Sequence, residues 1–283
     1  MDILTRIAQR YDHMRPAEQK VADLIRKDVN FASRCGIHQI AEQAGVSHAS
    51  ITRLAKTLDC QNVRDLKLQL AQAAAVGERF HNEQHVELQD MPEVFQSIQD
   101  ILQLNNGLIT KEKCIEAAEL ILAANHSLVF GVGGGSTIFA QECQHRLFRL
   151  DVKSNAYSDP MLMRMTAASI DTNDVVICLS LSGKTPDVFE SAKIAKDYGA
   201  KIIAICPQAE LASIADVHLP ITTQEMDFIY MPSASRYVLL AAIDMLASEV
   251  AIKNQRKSRE KLRRIKLQLD EHRQSADRTP LGD

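Results

Sequence analysis

Long apolar runs are missing from this chain. Across its 283 residues no stretch approaches the about 18 uninterrupted apolar residues that a membrane-spanning helix needs, so no membrane partner is expected. The opening segment MDILTRIAQRYDHMRP carries charges where a secretion signal would hold its apolar stretch, and export is not expected either. Paired metal-binding cysteines are also missing. Cys35, Cys60, Cys114, Cys143, Cys178 and Cys206 are scattered without CxxC or CxxH spacing, which argues against a zinc site and against a disulfide framework. They read as buried, reduced thiols of a cytoplasmic protein.

Glycine is scarce before residue 125, where only Gly36, Gly45, Gly77 and Gly107 occur and the apolar spacing is helical. Beyond that point strand-length apolar runs alternate with helical patterns. The expected architecture is therefore an all-α N-terminal domain followed by an α/β C-terminal domain, a parallel sheet flanked by helices. The polar segment GERFHNEQHVELQD interrupts the periodicity between them and opens with Gly77.

Charge is unevenly shared. The overall net charge is −3, yet residues 1–80 hold 12 basic and 9 acidic residues, and residues 253–273 hold 9 and 3. The stretch 81–252 holds 11 basic and 22 acidic residues. Only the ends suit a polyanion.

Within the basic N-terminal part, IHQIAEQAGVSHASITRLAKTL spans residues 37–58. Ile37, Ile40, Ala41 and Ala44 give a short helix with one apolar face. Gly45 supplies a tight exit, and Ser47 is placed to cap a second helix with the inner stripe Ile51, Leu54, Ala55 and Leu58. The opposite stripe is Ala49, Thr52, Arg53 and Lys56. Two short helices joined by a glycine turn, the second presenting small, hydroxyl and basic residues, match a helix-turn-helix that enters a major groove. A helical hairpin with a merely solvated outer face has the same spacing. On the first alternative, His48, Ser50, Thr52 and Arg53 are candidates for base edges, and Ser47, Lys56 and Lys67 for phosphates.

The C-terminal part begins with HSLVFGVGGGSTIFAQECQHRLFRLDVKSNAYSD, residues 126–159. An apolar run, a glycine cluster, a helical run and a second apolar-leaning run make a βαβ unit. Gly131 and Gly133 fit the dinucleotide fingerprint, but Ser136 stands where its third glycine belongs, so a nicotinamide cofactor is not expected. Ser136 is placed to cap the next helix, where a hydroxyl and free amides suit a phosphate or a sugar hydroxyl.

Further on, VVICLSLSGKT, residues 175–185, ends like a nucleotide-binding P-loop. The glycine such a loop needs five positions earlier is Cys178, within the strand, and the following KIIAIC run ends without a carboxylate, so ATP is not expected. What remains is Ser180, Ser182, Gly183 and Thr185 before a helix that opens with Pro186, a compact place for one phosphate monoester. Lys184 either adds charge there or points into water.

GVGGGS after one strand, SLSGKT after a later one and KIIAICP following resemble the sugar isomerase (SIS) domain. With SHASITRLAKTL and VRDLKLQLA ahead of it and MPSASRYVLLAAIDML after it, nearly the whole chain is similar to an RpiR-type transcriptional regulator. The resemblance implies a helix-turn-helix domain over 1–77, a linker over 78–90, an SIS effector-binding domain over 91–274 and a disordered tail over 275–283. It implies effector contacts from Gly133, Ser136, Ser180, Ser182, Gly183 and Thr185. Ser235 and Arg236 join them because the family often has Ser-Arg there. Arg236 suits a carboxylate or second anionic group of the ligand, or else a helix-start ion pair. The family commonly has glycines just after the recognition helix, whereas this chain has DCQNV, residues 59–63, in which Asn62 tolerates positive φ.

The implied function is a sequence-specific regulator of carbohydrate-metabolism genes. A homodimer or tetramer would read palindromic double-stranded operator DNA, as a repressor relieved by a phosphosugar or a phosphorylated sugar acid such as 2-keto-3-deoxy-6-phosphogluconate. Amino-sugar phosphates are a second effector class in the family. A phosphosugar isomerase is the rival reading, with Glu225, Asp227, His218 or His145 as base. A pure oligomerisation module is a third, resting on helical spacing that runs unbroken from Arg236 to about Arg273, first apolar and then basic.

Overall fold

The computed structural model describes residues 1–74, 92–224 and 233–273; the expected linker, the tail, Glu225 and Asp227 lie outside them. The described chain divides into two compact units, each with its own core.

The first unit is all helical: α1 (Ile3–Arg10), α2 (Pro16–Lys27), α3 (Val29–Arg34), α4 (Ile37–Ala44), α5 (His48–Thr57) and α6 (Val63–Ala74). The first three starts have a local cause. Asp2 accepts from the Leu4 and Thr5 amides, Pro16 occupies the first position of α2, and Asp28 accepts from the Phe31 amide. Helix α4 ends at Gly45, whose φ of 63° is the left-handed conformation expected of it. Ile3, Ile7, Val21, Ile25, Ile51, Leu54, Leu58, Leu66 and Leu70 close the core.

The second unit opens with α7 (Pro92–Asn105) and α8 (Lys111–Ala123). It continues as β1 (His126–Phe130), α9 (Gly134–Arg149), β2 (Ser154–Tyr157), α10 (Pro160–Ala167), β3 (Asp174–Leu179), α11 (Pro186–Asp197), β4 (Lys201–Cys206), α12 (Glu210–Ile214) and β5 (Val217–Pro220). Helices α13 (Ser235–Lys253) and α14 (Gln255–Arg273) close it. The five strands form one parallel sheet in the order β2-β1-β3-β4-β5. Alternation along β3 explains the layers. Val175, Ile177 and Leu179 face the core made with α8, α9 and α13, and Val176 and Cys178 face the one made with α10 and α11.

The C-terminal helical run is broken once. Asn254 leaves helical geometry at φ −113°, ψ 31°, and its side-chain amide donates to the Leu150 carbonyl at 3.2 Å, a carbonyl the Ser258 hydroxyl also reaches at 3.2 Å. The apolar half, α13, lies against the sheet through Val238, Leu239, Ala242, Ile243, Leu246 and Val250. Among the described residues no helix is long and apolar enough to cross a membrane, and no group of His, Cys, Asp and Glu is arranged to hold a metal ion.

Candidate functional site

The outer face of α5 carries the expected residues with one correction. Ser47, His48, Ala49, Thr52, Arg53 and Lys56 are exposed, and Lys67 is half-buried on α6. Ser50, expected among the base-edge candidates, is instead 2% exposed. It sits one turn ahead of Leu54 on the inner face. Its hydroxyl lies 3.1 Å from that of Ser47 and accepts from the Arg53 guanidinium at 2.9 Å. Ser47 holds the N-cap position without a side-chain bond to the helix amides, because its hydroxyl is spent on Ser50. Thr52 bonds back to the His48 carbonyl at 3.2 Å, and the His38 and His48 rings meet edge to face with centroids 4.2 Å apart. In DCQNV the positive φ falls on Asp59, at 55°, not on Asn62. Its carboxylate pairs with Arg10, which holds it below the usual carboxylate range.

In the second unit the sheet order places the two loops expected to bind the effector side by side. From β1 the chain moves one way to β2 and then the other way to β3, so the strand order reverses between β1 and β3. Ligands of open α/β sheets bind at such a reversal, beyond the carboxyl ends of the strands. Phe130 at the end of β1 is in register with Cys178 near the end of β3, so the 131–136 and 180–185 loops leave the same edge next to each other.

The first loop is tight. A Cβ on Gly131 would lie 2.5 Å from the Ser136 carbonyl, and Gly133, exposed at φ 78°, is the N-cap of α9. Ser136 therefore does not cap; it lies inside the first turn, 6% exposed, with its amide donating to the Gly133 carbonyl at 3.1 Å.

The second loop is built around Ser180. This residue is fully buried; its hydroxyl accepts from the Gly183 amide at 2.9 Å and lies 3.0 Å from the Thr185 hydroxyl and 3.4 Å from that of Ser182. Ser182 is exposed and accepts from the Lys184 amide at 3.2 Å, and Lys184 is exposed too. Thr185, half-buried, is the N-cap of α11 and makes no side-chain cap bond. Gly183 has φ 66°, and a Cβ there would lie 2.8 Å from Ala209 Cβ. The loop thus rests on the segment after β4, whose Leu211 amide donates to the Gly183 carbonyl at 3.2 Å.

A third segment reaches the loop. Thr223 donates its hydroxyl to the Leu181 carbonyl at 3.2 Å, while Ser235, 3% exposed, both accepts from the Gln224 amide and donates to the Gln224 carbonyl at 2.9 Å. Ser235 is thereby committed to fastening the start of α13. Arg236 lies against Tyr237, with its guanidinium 5.0 Å from the ring centroid and 3.3 Å from the hydroxyl. His218 bonds the Cys206 carbonyl through Nε2 at 2.8 Å, and His145 is exposed on α9.

Comparison with known proteins decides the family. Residues 1–77 match the helix-turn-helix domain of the rpiR family, and residues 120–249 match the SIS domain. The HTH-type transcriptional regulator HexR of Pseudomonas aeruginosa is 31% identical over 95% of both chains. The chain belongs to the RpiR family of transcriptional regulators. The HexR of Escherichia coli is 29% identical over 96% of both chains. The fold is that of the Vibrio vulnificus NanR protein, solved in complex with ManNAc-6P, at 19% identity, a TM-score of 0.59 and coverage of 98% of this chain and 100% of that one. Like the other RpiR regulators it matches, this one joins a DNA-binding head to an SIS sugar-phosphate-sensing domain.

Sequence reading missed the residues that shape the site from a distance: Arg6 and Arg10 behind α5, and Thr223 behind the second loop. Nothing local marks them, since each acts across 42 or more residues of chain.

Proposed function

We propose that this RpiR-family regulator is a cytoplasmic repressor of carbohydrate-metabolism genes, released from its operator by a phosphorylated sugar acid. The observation that carries the effector half is the Ser180–Thr185 loop at the strand-order reversal, with the Ser180, Ser182 and Thr185 hydroxyls and the start of α11 gathered at one point. Ser182, Thr185 and the neighbouring amides hold the phosphate, Ser180 shapes the loop from beneath, and Gly133 and Ser136 bound the sugar. Arg236 takes the ligand's carboxylate, which favours an acid such as 2-keto-3-deoxy-6-phosphogluconate over an amino-sugar phosphate of the kind carried by the Vibrio vulnificus protein.

In the head, His48, Thr52 and Arg53 face base edges, and Ser47, Lys56 and Lys67 face phosphates. A homodimer or tetramer held by its SIS domains reads two half-sites. The effector acts by binding one arrangement of the heads more tightly than the other, since equal affinity would shift nothing.

A thermal-shift screen of phosphorylated sugars and sugar acids tests the effector half. A stabilising hit that is lost in Ser182→Ala supports it, and appreciable turnover of a hexose or pentose phosphate would replace the sensor with an isomerase.

A further inference from the structure

Helix α5 ends in a turn that α1 completes. The Asp59 amide donates to the Lys56 carbonyl at 3.0 Å and the Cys60 amide to the Ala55 carbonyl at 2.8 Å. These are the two bonds of a Schellman motif, with Asp59 at the left-handed position that glycine usually fills. The motif leaves the Thr57 and Leu58 carbonyls to be satisfied from elsewhere. Both are met from α1: the Arg10 guanidinium donates to the Thr57 carbonyl and the Arg6 guanidinium to the Leu58 carbonyl.

Each arginine has a second hold. Arg10 donates its other amino group to the Asp59 carboxylate, and Arg6 donates its own to the Gln69 side-chain oxygen on α6. Gln69 in turn donates to Asp65 at 3.0 Å, and Asp65 accepts from the Gln61 amide at 2.9 Å in the turn after α5. Helix α1 itself is pinned by Ile3 and Ile7, both essentially fully buried. Two guanidinium forks on a rigid helix therefore join the end of α5, the turn after it and α6. Two positive charges also stand at the negative end of the α5 dipole.

We infer that Arg6 and Arg10 are positioning residues for DNA reading: they fix the direction of α5 and its spacing from α6 without touching DNA themselves. This explains why an aspartate holds a glycine's place. Glycine would adopt φ 55° more easily, but only a carboxylate there gives Arg10 its second hold. The inference rests on α5 being the helix that enters the groove.

The experiment uses the full chain and two probes: a duplex that the unmodified chain enriches from a random-sequence library, and a random duplex of equal length. Failure to enrich any duplex would sink the DNA-reading role of α5 itself. With an enriched duplex in hand, Arg6→Ala and Arg10→Ala are each expected to lower the ratio of selected to random affinity roughly tenfold, with the random affinity and the slope of log K against log salt unchanged. Asp59→Gly in the Arg10→Ala background is expected to recover most of the ratio. A role in stability alone would reduce both affinities by one factor and leave the ratio intact, and a direct phosphate contact would flatten the salt slope; either result overturns the inference. Should Arg10→Ala fail to fold, Arg10→Lys, which keeps the charge without the fork, bears the same test, and an unchanged ratio in it also overturns the inference.

Discussion

The Ser180 hydroxyl lies 3.0 Å from the Thr185 hydroxyl, so the first residue of the second loop is bonded to the N-cap residue of the helix after it. The same oxygen accepts the Gly183 amide, so the loop is held by its own hydrogen bonds. On the proposed function, such bonds separate residues that build the loop from residues that would touch the phosphate.

Ser180→Ala leaves the buried Gly183 amide without its acceptor, at a cost of about 1–3 kcal/mol. Ser182, exposed, costs less than about 0.5 kcal/mol on conversion to alanine. Urea denaturation of the two variants is expected to separate them in that order. Ligand-induced thermal stabilisation should fall in both.

Gly183→Ala combines backbone strain with a collision. The left-handed φ costs a side-chain-bearing residue about 1–2 kcal/mol, and the added Cβ meets Ala209 Cβ at 2.8 Å, so the total exceeds about 2 kcal/mol. The expected result is a lower denaturation midpoint and loss of the effector response. A variant as stable as the parent would show that the loop moves freely away from Ala209.

On the DNA side, Arg53→Ala is expected to relax sequence preference at one position by about 1–3 kcal/mol, whereas Lys56→Ala should weaken binding to all duplexes alike and reduce the salt slope by about one. A footprint and salt slope unchanged in both would take the α5 face out of the interface.

The architecture was legible because it depends on short-range pattern. Ile51, Leu54, Ala55 and Leu58 repeat at helical spacing, and all are buried. The glycine at 45 marked a helix end by its conformational freedom, and the hydroxyl cluster after β3 marked the loop. Ser50 as a base-edge residue and Ser136 as a cap depart from expectation for one shared reason: helical spacing, not the hydroxyl, decides which face each occupies. Ser50 stands four residues before Leu54, and Ser136 stands four before Ala140 and seven before Cys143, so both belong to inner faces. Asp59 was illegible in principle, since the hold on its carboxylate comes from Arg10, 49 residues away. The break at Asn254 likewise depends on a carbonyl 104 residues back.

Thiol accessibility tests the packing of both units. Burial pushes Cys143 and Cys206 up to about 12 and raises Cys60, Cys114 and Cys178 as well, so none presents a thiolate near neutral pH. Only Cys35 is half-buried. With a disulfide reagent at pH 8, one thiol is expected to react quickly in the folded chain and all six after denaturation. Fast reaction of a second thiol would mean that a core opens.

The most direct test of the account measures affinity for the enriched duplex with and without the sugar phosphate that stabilises the protein, in the parent chain and in Ser182→Ala. The account predicts that the ligand weakens DNA binding at least about fivefold in the parent, a coupling of about 1 kcal/mol or more, and that Ser182→Ala keeps its DNA affinity but loses the ligand's effect. A ligand that binds the second loop and leaves DNA affinity unchanged would contradict it.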